Sequence, residues 1–78
     1  MQEFLHFLIA QIVDDVDSIS ITESTEGDAI RFDVKLTEGE YGKVIGKGGK
    51  TINAIKTLLY VYQAKKEQTH QPIFINIA

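Results

Sequence analysis

Hydrophobic residues in the first half of the chain change from helical spacing to strict alternation. Over residues 2–16 they fall three or four positions apart, which predicts an amphipathic helix. This apolar series is Leu5, Leu8, Ile9, Ile12 and Val16. Residues 18–25 and 29–36 alternate apolar and polar side chains, which predicts two strands. The intervening Glu26-Gly27-Asp28 has a turn composition, so we expect an antiparallel hairpin with one buried face.

The second half predicts two further helices and a last strand. Residues 38–45 can form one or two helical turns before a break at residues 46–49, and residues 50–66 return to helical spacing. Residues 69–72 have a turn composition, and residues 73–77 alternate as a strand. Two helices between the second and third strands allow these strands to lie parallel through a right-handed crossover. We therefore predict an α+β domain over residues 1–78 in the order αββααβ, with a three-stranded mixed sheet covered on one face by three helices.

Composition narrows the chemistry that the chain can perform. It has 78 residues and no cysteine, and His6 and His70 are its only histidines. These counts exclude disulfides and thiolate metal sites, and we expect no metal, no cofactor and no enzymatic activity. No apolar run approaches the roughly 18 residues that span a bilayer, and the apolar start lacks the features of a signal peptide. We expect a cytoplasmic protein without membrane contact.

The charge is segregated along the chain, although the net charge of −3 suggests little affinity for nucleic acid. Residues 1–42 are strongly acidic, whereas residues 43–66 contain lysines and no acid. These lysines are Lys43, Lys47, Lys50, Lys56, Lys65 and Lys66. A solvated helix face is the simple interpretation of such a run. The lysines, however, surround the glycines of residues 46–49.

The glycine-rich segment 46–49 lies between the two helices predicted for the second half. Three of its four residues lack side chains, so a phosphodiester backbone can approach the main chain closely. We expect the amides of Gly48, Gly49 and Lys50 to be unpaired at the start of the long helix, where an anion is favoured. Lys43, Lys47 and Lys50 add positive charge around them.

The glycine-rich segment resembles two nucleotide-binding motifs but lacks a required glycine in each. Gly49-Lys50-Thr51 resembles the end of a P-loop, which requires a glycine at the position of Val44 and a strand directly before it. The dinucleotide-binding pattern requires a third glycine where Thr51 stands. Both mismatches argue against nucleotide chemistry.

The segment VIGKGGKTINAI resembles the signature of KH domains, and the αββααβ order resembles their type II arrangement. A domain of this length that begins with its own methionine is similar to the small single-KH proteins of bacteria, the KhpA family. The resemblance implies that a GxxG loop clamps the backbone of about four nucleotides of single-stranded RNA, with single-stranded DNA as the alternative ligand. It also implies a homodimer, or a heterodimer with a larger KH-containing protein. Gly48 departs from the bulkier residue of many such loops.

The motif match transfers roles onto particular residues of this chain. The clamp role falls on Gly46, Lys47, Gly48 and Gly49, with Lys43 and Lys50 beside them. Val44, Ile45 and Ile52 line or underpin the groove where unpaired bases rest. If about four phosphates are neutralised, log affinity should fall against log salt with a slope near −3.

A protein-interaction module of the same fold, with weak RNA binding or none, is the competing interpretation. The first predicted helix carries apolar side chains over more than one stripe, so a second face can be buried against a partner. These side chains are Phe4, Leu5, Phe7, Leu8 and Ile9. The same wide spread of apolar side chains around the helix is expected if the helix only covers a thin sheet.

Overall fold

The computed structural model describes residues 1–77, so the last residue of the predicted domain, Ala78, lies outside the described residues. The main elements follow the predicted order αββααβ. They are α1 (Gln2–Ala10), β1 (Ser20–Glu26), β2 (Ala29–Lys35), α2 (Tyr41–Ile45), α3 (Lys50–Tyr62) and β3 (Ile73–Ile77). Short 3-10 turns occupy Val16–Ser18 and Lys47–Gly49, and a π-helical turn over Gln63–Glu67 follows α3.

The sheet has the order β1-β2-β3, with β2 in the centre. β1 and β2 pair antiparallel from Ser20↔Lys35 to Glu26↔Ala29, as the hairpin prediction required. β3 pairs parallel to β2, with Ile30 opposite Ile73 and Val34 opposite Ile77. The predicted mixed sheet is therefore confirmed.

All three helices pack on one face of the sheet. The alternating residues Ile30, Phe32 and Val34 of β2 point into this core and are almost completely buried. Facing them are Leu5, Ile9, Val44, Ile55 and Leu59 from the helices. Burying these apolar side chains is the main source of stability for so small a domain. Within residues 1–77, the opposite face of the sheet carries no helix.

The first helix ends at Ala10 rather than at the predicted residue 16. The backbone amides of Asp14 and Asp15 instead donate to the two carboxylate oxygens of Glu40, at 2.7 and 3.0 Å. Aspartates at a helix C-terminus also oppose the helix dipole. The chain therefore leaves the helix, and Val16 is 38% exposed instead of continuing the apolar stripe.

The third helix passes into a π-helical turn because Gln63 is used as a buried anchor. Its side-chain amide donates to Gln71 O at 3.0 Å, and its carbonyl oxygen accepts from Gln71 N–H and the Thr69 hydroxyl. Gln68 then adopts a positive φ of 56° and redirects the chain towards β3. No helix among residues 1–77 has the length and apolar character needed to cross a membrane.

Candidate nucleic-acid interface

The glycine-rich loop connects α2 to α3 through a tight 3-10 turn over Lys47–Gly49. Gly46 has φ 77° and ψ 170°, a backbone conformation that is essentially restricted to glycine. A Cβ at this position would clash with the Thr51 side chain and lie 2.8 Å from Thr51 N. A Cβ on Gly48, by contrast, would meet no atom within 4 Å. Gly46 is thus required by the fold, whereas Gly48 leaves open space at the tip.

The loop amides only partly follow the prediction that Gly48, Gly49 and Lys50 are unpaired. Gly49 N–H donates to Gly46 O at 3.2 Å, and Lys50 N–H donates to Lys47 O. Those two expectations were wrong because these amides close the 3-10 turn. Within residues 1–77, Lys47 N–H and Gly48 N–H donate no hydrogen bond. The loop therefore presents two adjacent free amides at its tip.

The three lysines predicted around the loop have different environments. Lys47 and Lys50 are exposed and form no ion pair within the described residues. The Lys43 ammonium instead lies 2.7 Å from Asp14 Oδ2 and 3.3 Å from Glu40 Oε1. Asp14 and Glu40 raise the pKa of Lys43. The positive charge of Lys43 is therefore directed to the N-terminal end of α2, away from the loop.

Glu40, which the sequence reasoning did not single out, anchors the start of α2. Only 7% of its surface is exposed, and the amides of Asp14 and Asp15 lower its pKa, helped by Lys43. The bonds tie the segment after α1 to the helix that leads into the loop. The spacing of Glu40 three residues before Lys43, which suits an ion pair on a helix, was the only signal in the sequence.

The apolar residues predicted to line the groove differ in how far they are buried. Val44 is fully buried in the core beneath the loop, so it can underpin the site but cannot touch a ligand. Ile52 is partly buried and packs on the same core, whereas Ile45 is 38% exposed beside the loop. The structure thus brings residues 44–52 together, with Ile45 as the apolar side chain open to solvent.

A second concave surface lies away from the loop. It is an open groove between α1 and β1, bordered by His6 and by the acids Glu3 and Glu23. Lysine and arginine are absent from the residues that line this groove. Such a surface repels a polyanion, so the loop remains the candidate interface for nucleic acid.

Comparisons with known proteins show which family the chain belongs to. The family model for the KhpA/KhpB KH domain matches residues 2–73. The chain belongs to this KH-domain family. This confirms the predicted type II KH fold and the resemblance to the small KhpA proteins, because the match covers nearly the whole chain.

Several proteins named RNA-binding protein KhpA are similar to the chain. The protein of Chlamydia trachomatis is 37% identical over 59 residues, which cover 76% of each chain. That of Chlamydia pneumoniae is 39% identical over the same length and coverage. The protein of Halalkalibacterium halodurans is 25% identical over 68 residues, or 87% of this chain and 90% of that protein. No solved structure matches the chain significantly.

Proposed function

We propose that this protein binds a short segment of single-stranded RNA through its GxxG loop, residues 46–49. The observation that carries the proposal is the loop tip, where two free amides adjoin open space above Gly48 and the unpaired ammonium groups of Lys47 and Lys50. Backbone amides and cations of this kind recognise phosphate rather than base identity. Relatives with the printed name RNA-binding protein KhpA support RNA as the ligand. The role is binding in the cytoplasm and not catalysis.

Single-stranded nucleic acid fits the loop better than a duplex. A GxxG loop clamps about four nucleotides of backbone, and the unpaired bases rest on an adjacent apolar surface. Ile45 supplies exposed apolar area next to the clamp, with Ile52 partly buried behind it. The absence of a base-reading polar cluster among the predicted contacts favours modest sequence preference, and single-stranded DNA is a competitor to test.

A double substitution at the loop tip tests the clamp. Lys47→Asp with Gly48→Asp places two carboxylates where phosphate is expected, and aspartate tolerates the φ of 64° at residue 48. We expect binding of a fluorescent RNA tetramer to be lost in an anisotropy titration while the melting temperature changes little. Lys47→Asn with Gly48→Asn is the matched control, because asparagine has the shape of aspartate without its charge. Equal RNA affinity of the aspartate pair and the wild type would contradict the proposal.

A second function, dimerisation, is favoured by an exposed apolar surface at the junction of α1 and α3. The rings of Phe4 and Tyr62 stack there with centroids 4.8 Å apart. Phe7 lies one turn from Phe4, and Leu58 lies one turn from Tyr62. Phe7, Leu58 and Val61 are 57%, 44% and 52% exposed, and we name them the α1–α3 surface. A homodimer, or a heterodimer with a larger KH-containing protein, would bury it.

Sedimentation of the Val61→Glu variant tests dimerisation. We expect the wild type to sediment as a dimer at concentrations where this variant is a monomer, since a buried unpaired carboxylate opposes association. Lys66→Glu, an exposed change of charge beyond the end of α3, is the control. If the wild type is monomeric at all concentrations, homodimerisation through this surface is excluded.

A further inference from the structure

Phe74 is an exposed aromatic residue on the helix-free face of the sheet. Its neighbours Ile73 and Ile75 point into the core side, so the ring of Phe74 points to the other side and is 54% exposed. The Lys56 ammonium from α3 reaches around the edge strand to 5.8 Å from the ring centroid. A cation over an aromatic face at this distance is attracted by the ring. The surface therefore presents an aromatic ring and a positive charge together.

The position of this pair connects it with the GxxG loop. α3 begins at Lys50, directly after the loop, and Lys56 lies about 9 Å further along the helix axis. Beyond it, the Tyr60 hydroxyl accepts the Ile73 N–H at 2.9 Å, so the start of the β3 edge is covered. An RNA strand that leaves the loop along α3 therefore reaches Lys56 and Phe74 before it reaches the covered start of β3.

The charges around Phe74 leave Lys56 available for an anion. Arg31 lies opposite Phe74 in the sheet, and its guanidinium is bound to Asp33 at 3.1 Å and lies 3.7 Å from Glu26. Arg31 thus balances one of the two acids, Glu26 and Asp33, and Lys56 brings a second positive charge to the ring. Within residues 1–77, Lys56 forms no ion pair, and its recorded partner is the ring.

A shallow pocket of about 260 Å³ lies beside the ring. It is lined by Glu26, Arg31, Phe74, Ile75 and Asn76, so one acid and one base border it. This volume lies just below the range that holds drug-sized ligands. Aromatic side chains on sheet surfaces stack single-stranded bases without strict sequence preference, and every base has a face to offer.

We propose that Phe74 and Lys56 form a second contact for the RNA strand held by the GxxG loop, with a base stacked on the Phe74 ring and a phosphate near the Lys56 ammonium. This contact rests on the proposed function of the loop. It lies beyond the four nucleotides of the clamp, so only a longer strand reaches it. The protein then binds a longer segment of RNA than the loop alone.

Two RNA lengths and two substitutions at residue 74 test the second contact. The probes are a fluorescent uridine tetramer and a fluorescent uridine octamer, measured by anisotropy. Phe74→Leu keeps apolar volume but removes the ring, and we expect octamer affinity to fall at least about five-fold while tetramer affinity is unchanged. Phe74→Tyr retains the ring and should bind both probes like the wild type. Lys56→Gln should weaken the octamer alone, whereas Lys66→Gln, further along the same chain, should not.

Each other outcome is informative. If Phe74→Leu binds the octamer as tightly as the wild type, the second contact is absent. If it weakens both lengths equally, Phe74 acts on the clamp or the fold, and the proposal is also overturned. The aspartate pair at residues 47 and 48 separates the two hypotheses, because unchanged tetramer binding by that variant refutes the loop clamp itself.

Discussion

Asp14 holds the ammonium group of Lys43 at 2.7 Å, on the side of α2 away from the GxxG loop. This ion pair removes one of the three cations predicted to surround the RNA backbone. Asp14 is 88% exposed in its side chain, so the pair is open to solvent and weak enough to exchange. If the loop binds RNA as proposed, Asp14 competes with RNA phosphate for Lys43.

Replacement of Asp14 should therefore strengthen RNA binding. In Asp14→Asn the Lys43 ammonium loses its closest carboxylate, and we expect tetramer affinity to rise about two- to five-fold, the range of an exposed ion pair. Anisotropy at low salt measures the effect. Asp17→Asn is the matched control, because it removes the same charge from an exposed residue nearby that pairs with no lysine in the described structure. An equal rise in tetramer affinity for both variants would show that each only reduces the long-range repulsion between the protein's acids and RNA.

The salt dependence of tetramer binding counts the phosphates that the loop engages. Lys47 and Lys50 are the unpaired cations beside the loop in the described chain, so we expect log affinity to fall against log salt with a slope of about −1.4. The sequence alone suggested a slope near −3, because it assumed that about four phosphates are neutralised. In Asp14→Asn the slope should steepen by about 0.7. A flat response in the wild type would contradict phosphate binding.

The sequence predicted those features of the fold that depend on local periodicity, and it missed those that depend on contacts between residues distant in the sequence. The alternation of Ile30, Phe32 and Val34 and the helical spacing around Leu59 reflect burial on one face, and they predicted the sheet, its pairing and the position of α3. β3 was predicted with its observed bounds. Local periodicity carries this information because each side chain's burial follows from its own element.

The failures share a different cause, which is contact between distant polar groups. α1 ends early because the Glu40 carboxylate accepts the backbone amide of Asp14, which lies 26 residues earlier in the sequence. Asp14 and Glu40 also hold the ammonium group of Lys43 at the start of α2. The π-helical turn depends on Gln63 reaching Gln71. No periodicity marks such partners, so charge counting could not show that Asp14 and Glu40 hold the Lys43 ammonium.

Gly46 and Gly48 should differ in their importance for folding. Gly46→Ala forces a side chain into a glycine-only conformation against Thr51, and we expect a loss of about 2–3 kcal/mol in the free energy of unfolding. Gly48→Ala meets only the positive φ of 64° in open space and should cost about 1–2 kcal/mol. Urea denaturation compares them. Gly48→Asn, which tolerates this φ, should be closer to the wild type. The predicted difference in stability is contradicted if the two alanine variants have the same midpoint of urea denaturation.

Glu40 should make the stability of the protein depend on pH. The Asp14 and Asp15 amides, helped by Lys43, lower its pKa in the folded protein. Its contribution is therefore fully present above the ordinary glutamate pKa near 4.5 and is lost as the pH falls through the lowered value. Asp14 adds to the same trend, because Lys43 lowers its pKa as well.

The Glu40→Gln variant isolates this contribution. A neutral amide offers one acceptor oxygen where the carboxylate offers two, so at pH 7 we expect the melting temperature to fall by a few degrees. The difference from the wild type should shrink as the pH falls from 4.5 through the lowered pKa of Glu40, because the wild-type carboxylate becomes protonated over that range and loses its advantage. Glu38→Gln, an exposed acid two residues earlier that forms no ion pair within residues 1–77, should follow the wild type at every pH. A melting difference for Glu40→Gln that stays constant from neutral to acid pH would mean that packing, and not the charge of Glu40, holds the start of α2.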